Sequence, residues 1–194
     1  MTRALDGDLA ALAARLRAST VRVYDERRNG SGSGIVWSAD GTVLTNAHVV
    51  RGARARLEWE DGRSVRAEVA LRDDERDLAA LRFAPPAALV PVTVRSSSGL
   101  VPGELVVAVG NPLGLVGALT AGMVQRCNAR WVVADVRLAP GNSGGPLADG
   151  AGRVVGINSM VAGGLALAVP SDAAVAFLQR LRGSHARRRF AHVA

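Results

Sequence analysis

Residues 139–147 read APGNSGGPL. Ser143 stands there between Gly141-Asn142 and Gly144-Gly145, with a proline beyond each pair. A serine hydroxyl is a poor nucleophile near neutral pH; it needs a base to take its proton and donors to hold the oxyanion that follows. Glycine lets backbone adopt positive φ and approach a ligand closely. The segment Gly141, Asn142, Ser143 is therefore a candidate oxyanion hole, with the N–H groups of Gly141 and Ser143 converging on one point. A plain turn does not need glycine on both sides of its serine.

The base for such a serine is usually a histidine held in one tautomer by a carboxylate. His185 and His192 fall in a basic C-terminal stretch, and only His48, in LTNAHVV, falls inside the folded pattern. Taken alone, a histidine just after a strand is more often a satisfied structural residue than a catalytic base. Among the acids, Asp77 immediately precedes the apolar run LAALRF and so begins at the mouth of a core. Asp73 and Asp74 compete with it on spacing.

These residues need a frame. Leu5, Leu9, Leu12 and Leu16 recur at steps of three and four, which predicts a short helix over residues 8–17. The pattern then changes to strands. GIVWSADGTVLTNA is two short runs around Asp40-Gly41, a hairpin signal. ARLEWEDGRSVRAEVAL repeats it around Asp61-Gly62, with Ala55, Leu57 and Trp59, then Val65, Ala67, Val69 and Leu71, alternating with polar residues. DLAALRF is another strand. A Pro- and Ser-rich connector over about 84–103 divides the chain into halves. ELVVAVG, GALTAGMVQR, RWVVADVRL, GRVVGINSM and GLALAVP follow as strands, and Ser171 caps a closing helix. Many short strands joined by Gly and Asp turns predict a barrel or sandwich architecture.

The chain has 194 residues, of which 48% are hydrophobic and only 4% aromatic, so its core is built from Val, Leu, Ala and Ile. Every one of its 24 basic residues is arginine, against 17 acidic residues. The arginines are scattered apart from residues 51–56 and 186–190, without the basic stripe and interleaved aromatics of a nucleic-acid binder, so no specific nucleic acid is expected. The single cysteine, Cys127, permits no internal disulfide. No run approaches the roughly 18 apolar residues of a membrane span, and the charged N-terminus does not read as a secretory signal, so a cytoplasmic location is expected. No metal-ligand cluster or nucleotide fingerprint is present, and no cofactor is expected.

GSGIVWSADGTVLTNAHVV, RDLAALRF, PGELVVAVGNPLGL and PGNSGGPL, in that order, resemble the trypsin-like serine proteases of the HtrA (Deg) type, with matching segments from about Ser31 to Ser171. The resemblance implies an all-β chymotrypsin-type fold of two six-stranded antiparallel barrels, with short helices at the two ends. One protease domain would span residues 1–182: the first barrel about 19–92, the second about 103–170, a helix over 171–182, and a loose basic tail over 183–194. The family's Asp-Leu-Ala motif matches Asp77 and neither Asp73 nor Asp74. Carried over, Ser143 is the nucleophile, His48 the general base and Asp77 the orienting carboxylate. Ser159 matches a serine that contacts the catalytic carboxylate, although a plain strand serine reads equally well.

Substrate is expected to be protein or unfolded peptide, added as a strand along Ser159, Met160 and Val161. Leu138 and Leu165 would line a shallow apolar specificity pocket. Arg137 sits where trypsin carries its acidic selector; pointing inward it would favour acidic side chains, whereas strand alternation beside Leu138 turns it outward. The PDZ domain usual in the family is absent from this sequence, the Gln125–Trp131 segment is short, and the aromatic contacts used for trimer formation are not evident. A homo-oligomer, a trimer by resemblance, is thus left open. The competing function is a proteolytically silent, holdase-like peptide binder on the same fold.

Overall fold

The computed structural model describes residues 2–26, 30–85, 89–112 and 115–190, with side chains from residue 8 to residue 181 within those ranges. Helix α1 (Thr2–Ala18) opens the chain, followed by β1 (Thr20–Asp25), β2 (Ser31–Ser38), β3 (Thr42–Thr45), β4 (Arg54–Glu58), β5 (Ser64–Asp73) and β6 (Leu78–Arg82). These six strands close into an antiparallel barrel in the order β1-β2-β3-β6-β5-β4. Both Asp-Gly turns fall where the sequence places them, joining β2 to β3 and β4 to β5.

The connector carries β7 (Thr93–Val94) and a short 3-10 turn, η1 (Ser97–Gly99), across to the second half. There β8 (Leu105–Gly110), β9 (Ala118–Cys127), β10 (Val132–Ala134), β11 (Pro146–Asp149), β12 (Arg153–Ala162) and β13 (Leu165–Pro170) form the order β11-β8-β9-β10-β13-β12. Antiparallel pairing of β11 with β12 closes this second ring, and β7 adds to β12 in parallel. The expectation of two six-stranded barrels therefore holds.

Alternation explains the layers. Val21, Val23, Val36, Val43, Leu57 and Leu81 fill the first barrel, and Val106, Val124, Val132, Leu147 and Val155 fill the second. Outward residues of the same strands build the seam. Ile35, Leu44 and Leu78 of the first barrel meet Val154, Ile157 and Val169 of the second, and Phe177, Leu178 and Leu181 of the closing helix α2 (Ser171–Phe190) cover the junction. All four residues of strand β3, Thr42 to Thr45, are thus buried, because both faces of the strand are covered.

Three expectations are corrected. Helix α1 begins at Thr2, well before residue 8, and only Leu12 and Leu16 of the leucine stripe are buried, against Val107, Val109 and Ala148; Leu9 is exposed. The side chain of Leu5 lies outside the described set. Helix α2 continues to Phe190, past the expected end at 182: no proline interrupts residues 183–190, and Ala186 and Arg187 to Arg189 are good helix formers that offset Gly183. The rest of the predicted loose tail, residues 191–194 with His192, lies outside the described residues. Strands β1, β7 and β11 lie outside the runs that read as strands in the sequence, β7 within the connector; β11 opens on Pro146, a residue tolerated at the first position of a strand.

Candidate active site

His48 lies in the turn that leaves β3, and Asp77 in the turn that enters β6. Because β3 and β6 are antiparallel neighbours, with Thr45 opposite Ala79, the two turns lie side by side. The His48 Nδ1 lies 3.0 and 2.9 Å from the two carboxylate oxygens of Asp77, and the His48 backbone N–H donates to Asp77 Oδ1 at 3.0 Å. Asn46 donates its side-chain amide to the Asp77 carbonyl at 2.8 Å. Asp77 adopts φ 55°, the only positive φ at a non-glycine among the described residues. Asp tolerates this left-handed region better than most residues, and it persists only where surrounding contacts enforce it.

Asp73 and Asp74 have other partners. Asp73 accepts the Arg76 N–H at 3.0 Å and pairs with Arg180, and Asp74 pairs with Arg72. The side chain of Asp77 is 17% exposed and that of His48 is 40% exposed. Burial pushes the Asp77 carboxyl upward, but hydrogen bonds from the His48 ring, the Ser159 hydroxyl and the His48 N–H outweigh it and hold the group below the ordinary value of 3.8.

Ser143 comes from the second barrel. Its loop is pinned on three sides. Gly144 N–H donates to Asn158 O at 2.8 Å and Asn158 N–H to Gly145 O at 2.9 Å. Ser33 of β2 donates its N–H to Ser143 O and its hydroxyl to Gly141 O, both at 2.7 Å. Asn111 N–H bonds Ser33 Oγ at 2.9 Å from behind. The glycines are required by this threading. A Cβ on Gly144 would fall inside the Ser33 carbonyl oxygen, and one on Gly141 inside the Asn111 carbonyl oxygen; both residues also have positive φ, 87° and 105°.

Within the loop, Asn142 N–H is taken by Ala139 O at 3.0 Å, so it is not free to act as a donor. The N–H groups of Gly141 and Ser143 have no acceptor among the described residues. The hydroxyl of Ser143 donates to the Ser159 carbonyl at 2.8 Å. Ser159 then donates its own hydroxyl to Asp77 Oδ2 at 2.6 Å. One residue thus joins Ser143 and Asp77. Its position follows from a bulge: the β12–β13 register shifts between Asn158 and Met160, leaving Ser159 without an opposite partner and free to turn toward Asp77.

Leu138, Ser159, Met160 and Val161 line a pocket of about 240 Å³ beside Ser143 and Asn142. Leu165 does not line it. It pairs with Ala162 at the far end of the β12–β13 hairpin, beyond the pairs Met160–Leu167 and Val161–Ala166. Arg137 is exposed and also absent from the lining, in keeping with strand alternation. The last pairing of β12 with β11 is at Ile157, so Met160 and Val161, both about half exposed, continue past it with one open edge.

Sequence reasoning missed Ser33, Asn46 and Asn111. The available signal for Ser33 was its place between Gly32 and Gly34 in a strand, which marks close approach of another backbone. Asn46 and Asn111 carry no comparable local signal, because their partners are distant in sequence.

A family model described as a trypsin-like peptidase domain matches residues 32–157. A "Probable periplasmic serine endoprotease DegP-like" from Halomonas elongata is 37% identical over 174 residues, covering 82% of this chain and 36% of that protein. "Protease Do-like 1, chloroplastic" from Arabidopsis thaliana is 36% identical over 181 residues, covering 83% of this chain and 41% of that protein. The chain therefore spans about two fifths of the length of the curated relatives it matches. Among solved structures, "HtrA-type protease AlgW with tripeptide" superposes with a TM-score of 0.82 at 30% identity, covering 88% of this chain and 62% of the other. No described helix is long and apolar enough to cross a membrane.

Proposed function

The chain belongs to the trypsin-like peptidase family, with HtrA-type proteases among its relatives, and from that premise we propose that it is a serine endopeptidase with Ser143 as nucleophile, His48 as general base and then acid, and Asp77 as orienting carboxylate. The observation that carries this reading is the double role of Ser159. Its side chain holds Asp77 and its carbonyl holds the Ser143 hydroxyl, which draws residues of both barrels into one cluster.

Asp77 engages His48 Nδ1, which leaves Nε2 as the ring nitrogen able to accept the Ser143 proton. Ser143 Oγ attacks a peptide carbonyl, the oxyanion is held by the N–H groups of Gly141 and Ser143, His48 protonates the leaving amine, and water hydrolyses the acyl-enzyme. The hydroxyl must first leave the Ser159 carbonyl, a hydrogen bond worth about 0.5–1.5 kcal/mol net. A peptide added as a strand along Met160 and Val161 can offer its own N–H to that carbonyl, so substrate binding and release of the nucleophile are coupled.

The pocket beside Ser143, below the ~300 Å³ at which small-molecule sites begin, suits a single side chain. Its apolar lining favours a small or medium apolar residue before the cleaved bond. The tripeptide named with the solved HtrA-type structure is in keeping with a peptide ligand. Homo-oligomer formation and a cytoplasmic location stand as separate proposals; two relatives carry names placing them in the periplasm and the chloroplast. Sedimentation and cell fractionation test them.

The direct experiment is cleavage of unfolded casein by purified protein and by Ser143→Ala. Cleavage lost in the variant is expected. Casein retained without cleavage by the wild-type protein would instead support the silent binding module.

A further inference from the structure

We propose that Arg72 is a positioning residue for the His48–Asp77 pair, its guanidinium tying together the two turns that carry them. The proposal rests on the triad reading given above. Arg72 lies near the end of β5, opposite Ala79 of β6. Its Nη1 donates to the carbonyl of Val50, two residues after His48, and its Nε donates to Asp74 Oδ1 at 2.9 Å, three residues before Asp77. Neither turn has regular secondary structure to hold it. From one side they are joined by His48 N–H to Asp77 and Asn46 to the Asp77 carbonyl, at 3.0 and 2.8 Å. Arg72 supplies a second tie, between Val50 and Asp74. The planar guanidinium fork can serve two acceptors in fixed directions, which an ammonium cannot do.

Arg72 also sets the local charge. The carboxylates whose fields reach it are Asp74, Asp77 and, from β1, Asp25. Asp25 additionally accepts the Arg51 N–H at 2.9 Å, so it anchors the same turn after His48. Asp74 feels Arg72 first and Arg51 as a second cation.

The test compares Arg72→Gln, Arg72→Lys and Asp74→Asn on one peptide substrate. Arg72→Gln is expected to lower kcat on the order of tenfold, as small misplacements of catalytic groups do, with KM unchanged. Arg72→Lys keeps the charge but not the bridge, so its kcat is intermediate. Asp74→Asn frees one anchor at an exposed position, so kcat falls by less than in Arg72→Gln and thermal stability is unchanged. Arg63→Gln, on the distant β4–β5 turn, is the charge control and behaves as wild type. Wild-type kcat in Arg72→Gln, or a lower melting temperature with kcat per folded molecule intact, overturns the proposal. If the wild-type protein cleaves nothing, the endopeptidase reading fails by itself. The downfield proton resonance of the His48–Asp77 hydrogen bond then decides the role of Arg72: loss or displacement in Arg72→Gln supports it, and an unchanged resonance refutes it.

Discussion

Ser159→Ala separates the electrostatic support of Asp77 from its other duties. The substitution removes the hydroxyl that donates to Asp77 Oδ2 at 2.6 Å but keeps the backbone carbonyl that receives Ser143 Oγ. A hydrogen bond to a charged group contributes about 1.5–3 kcal/mol, and the Asp77 side chain, only 17% exposed, has little water to replace it. Asp77 is held below its ordinary value of 3.8 in the folded protein, so the stability it supplies is fully present above that value and is lost as pH falls through its lower folded value. Removing Ser159 raises the folded value. The wild-type advantage should therefore be about 1.5–3 kcal/mol near pH 7 and shrink toward zero in strong acid, where Asp77 is protonated in both proteins. Urea unfolding across pH 2–8, in steps of about one unit, reads this out. Because Asp77 stays ionised and bound to His48 Nδ1, turnover at pH 7 should fall by roughly tenfold, far less than the ~10⁴ lost when the carboxylate itself becomes an amide at such sites. A stability difference that does not vary with pH, or no difference at pH 7, refutes the reasoning.

Other substitutions probe the frame. Gly144→Ala places a methyl group against the Ser33 carbonyl and Thr45 Oγ1 at φ 87°, so it should cost about 2–5 kcal/mol by unfolding and abolish casein cleavage. Phe177→Ala opens a cavity at the seam covered by α2; chemical denaturation should show a loss of about 3–5 kcal/mol. Arg137→Gln should leave the side-chain preference before the cleaved bond unchanged in a peptide library, because Arg137 is exposed and does not line the pocket.

The sequence was most legible where chemistry and turn signals are local. PGNSGGPL identifies Ser143 and its glycines without help from distant residues, and the two Asp-Gly turns place their hairpins. His48 follows because the other two histidines lie in a basic terminal stretch. The choice among Asp73, Asp74 and Asp77 needed the family motif, since one-residue steps along a turn give no reason to prefer one acid. The structure supplies that reason: Asp73 and Asp74 pair with arginines, while His48, Asn46 and Ser159 converge on Asp77. The ties that join the barrels, Ser33 to Gly141 and Ser159 to Asp77, span 108 and 82 positions. Such contacts leave no periodic trace. Leu165 illustrates the same limit, because the bulge at Ser159 and the hairpin length together decide which side chains reach the pocket.

The central claim is that Ser143 is a nucleophile activated by His48. A fluorophosphonate probe tests it most directly, with the labelled peptide located by mass spectrometry in wild type, Ser143→Ala and His48→Ala. The account predicts one adduct on Ser143, absent from Ser143→Ala and lost or strongly slowed in His48→Ala. A folded wild-type protein that takes no label, or takes it elsewhere, would contradict it.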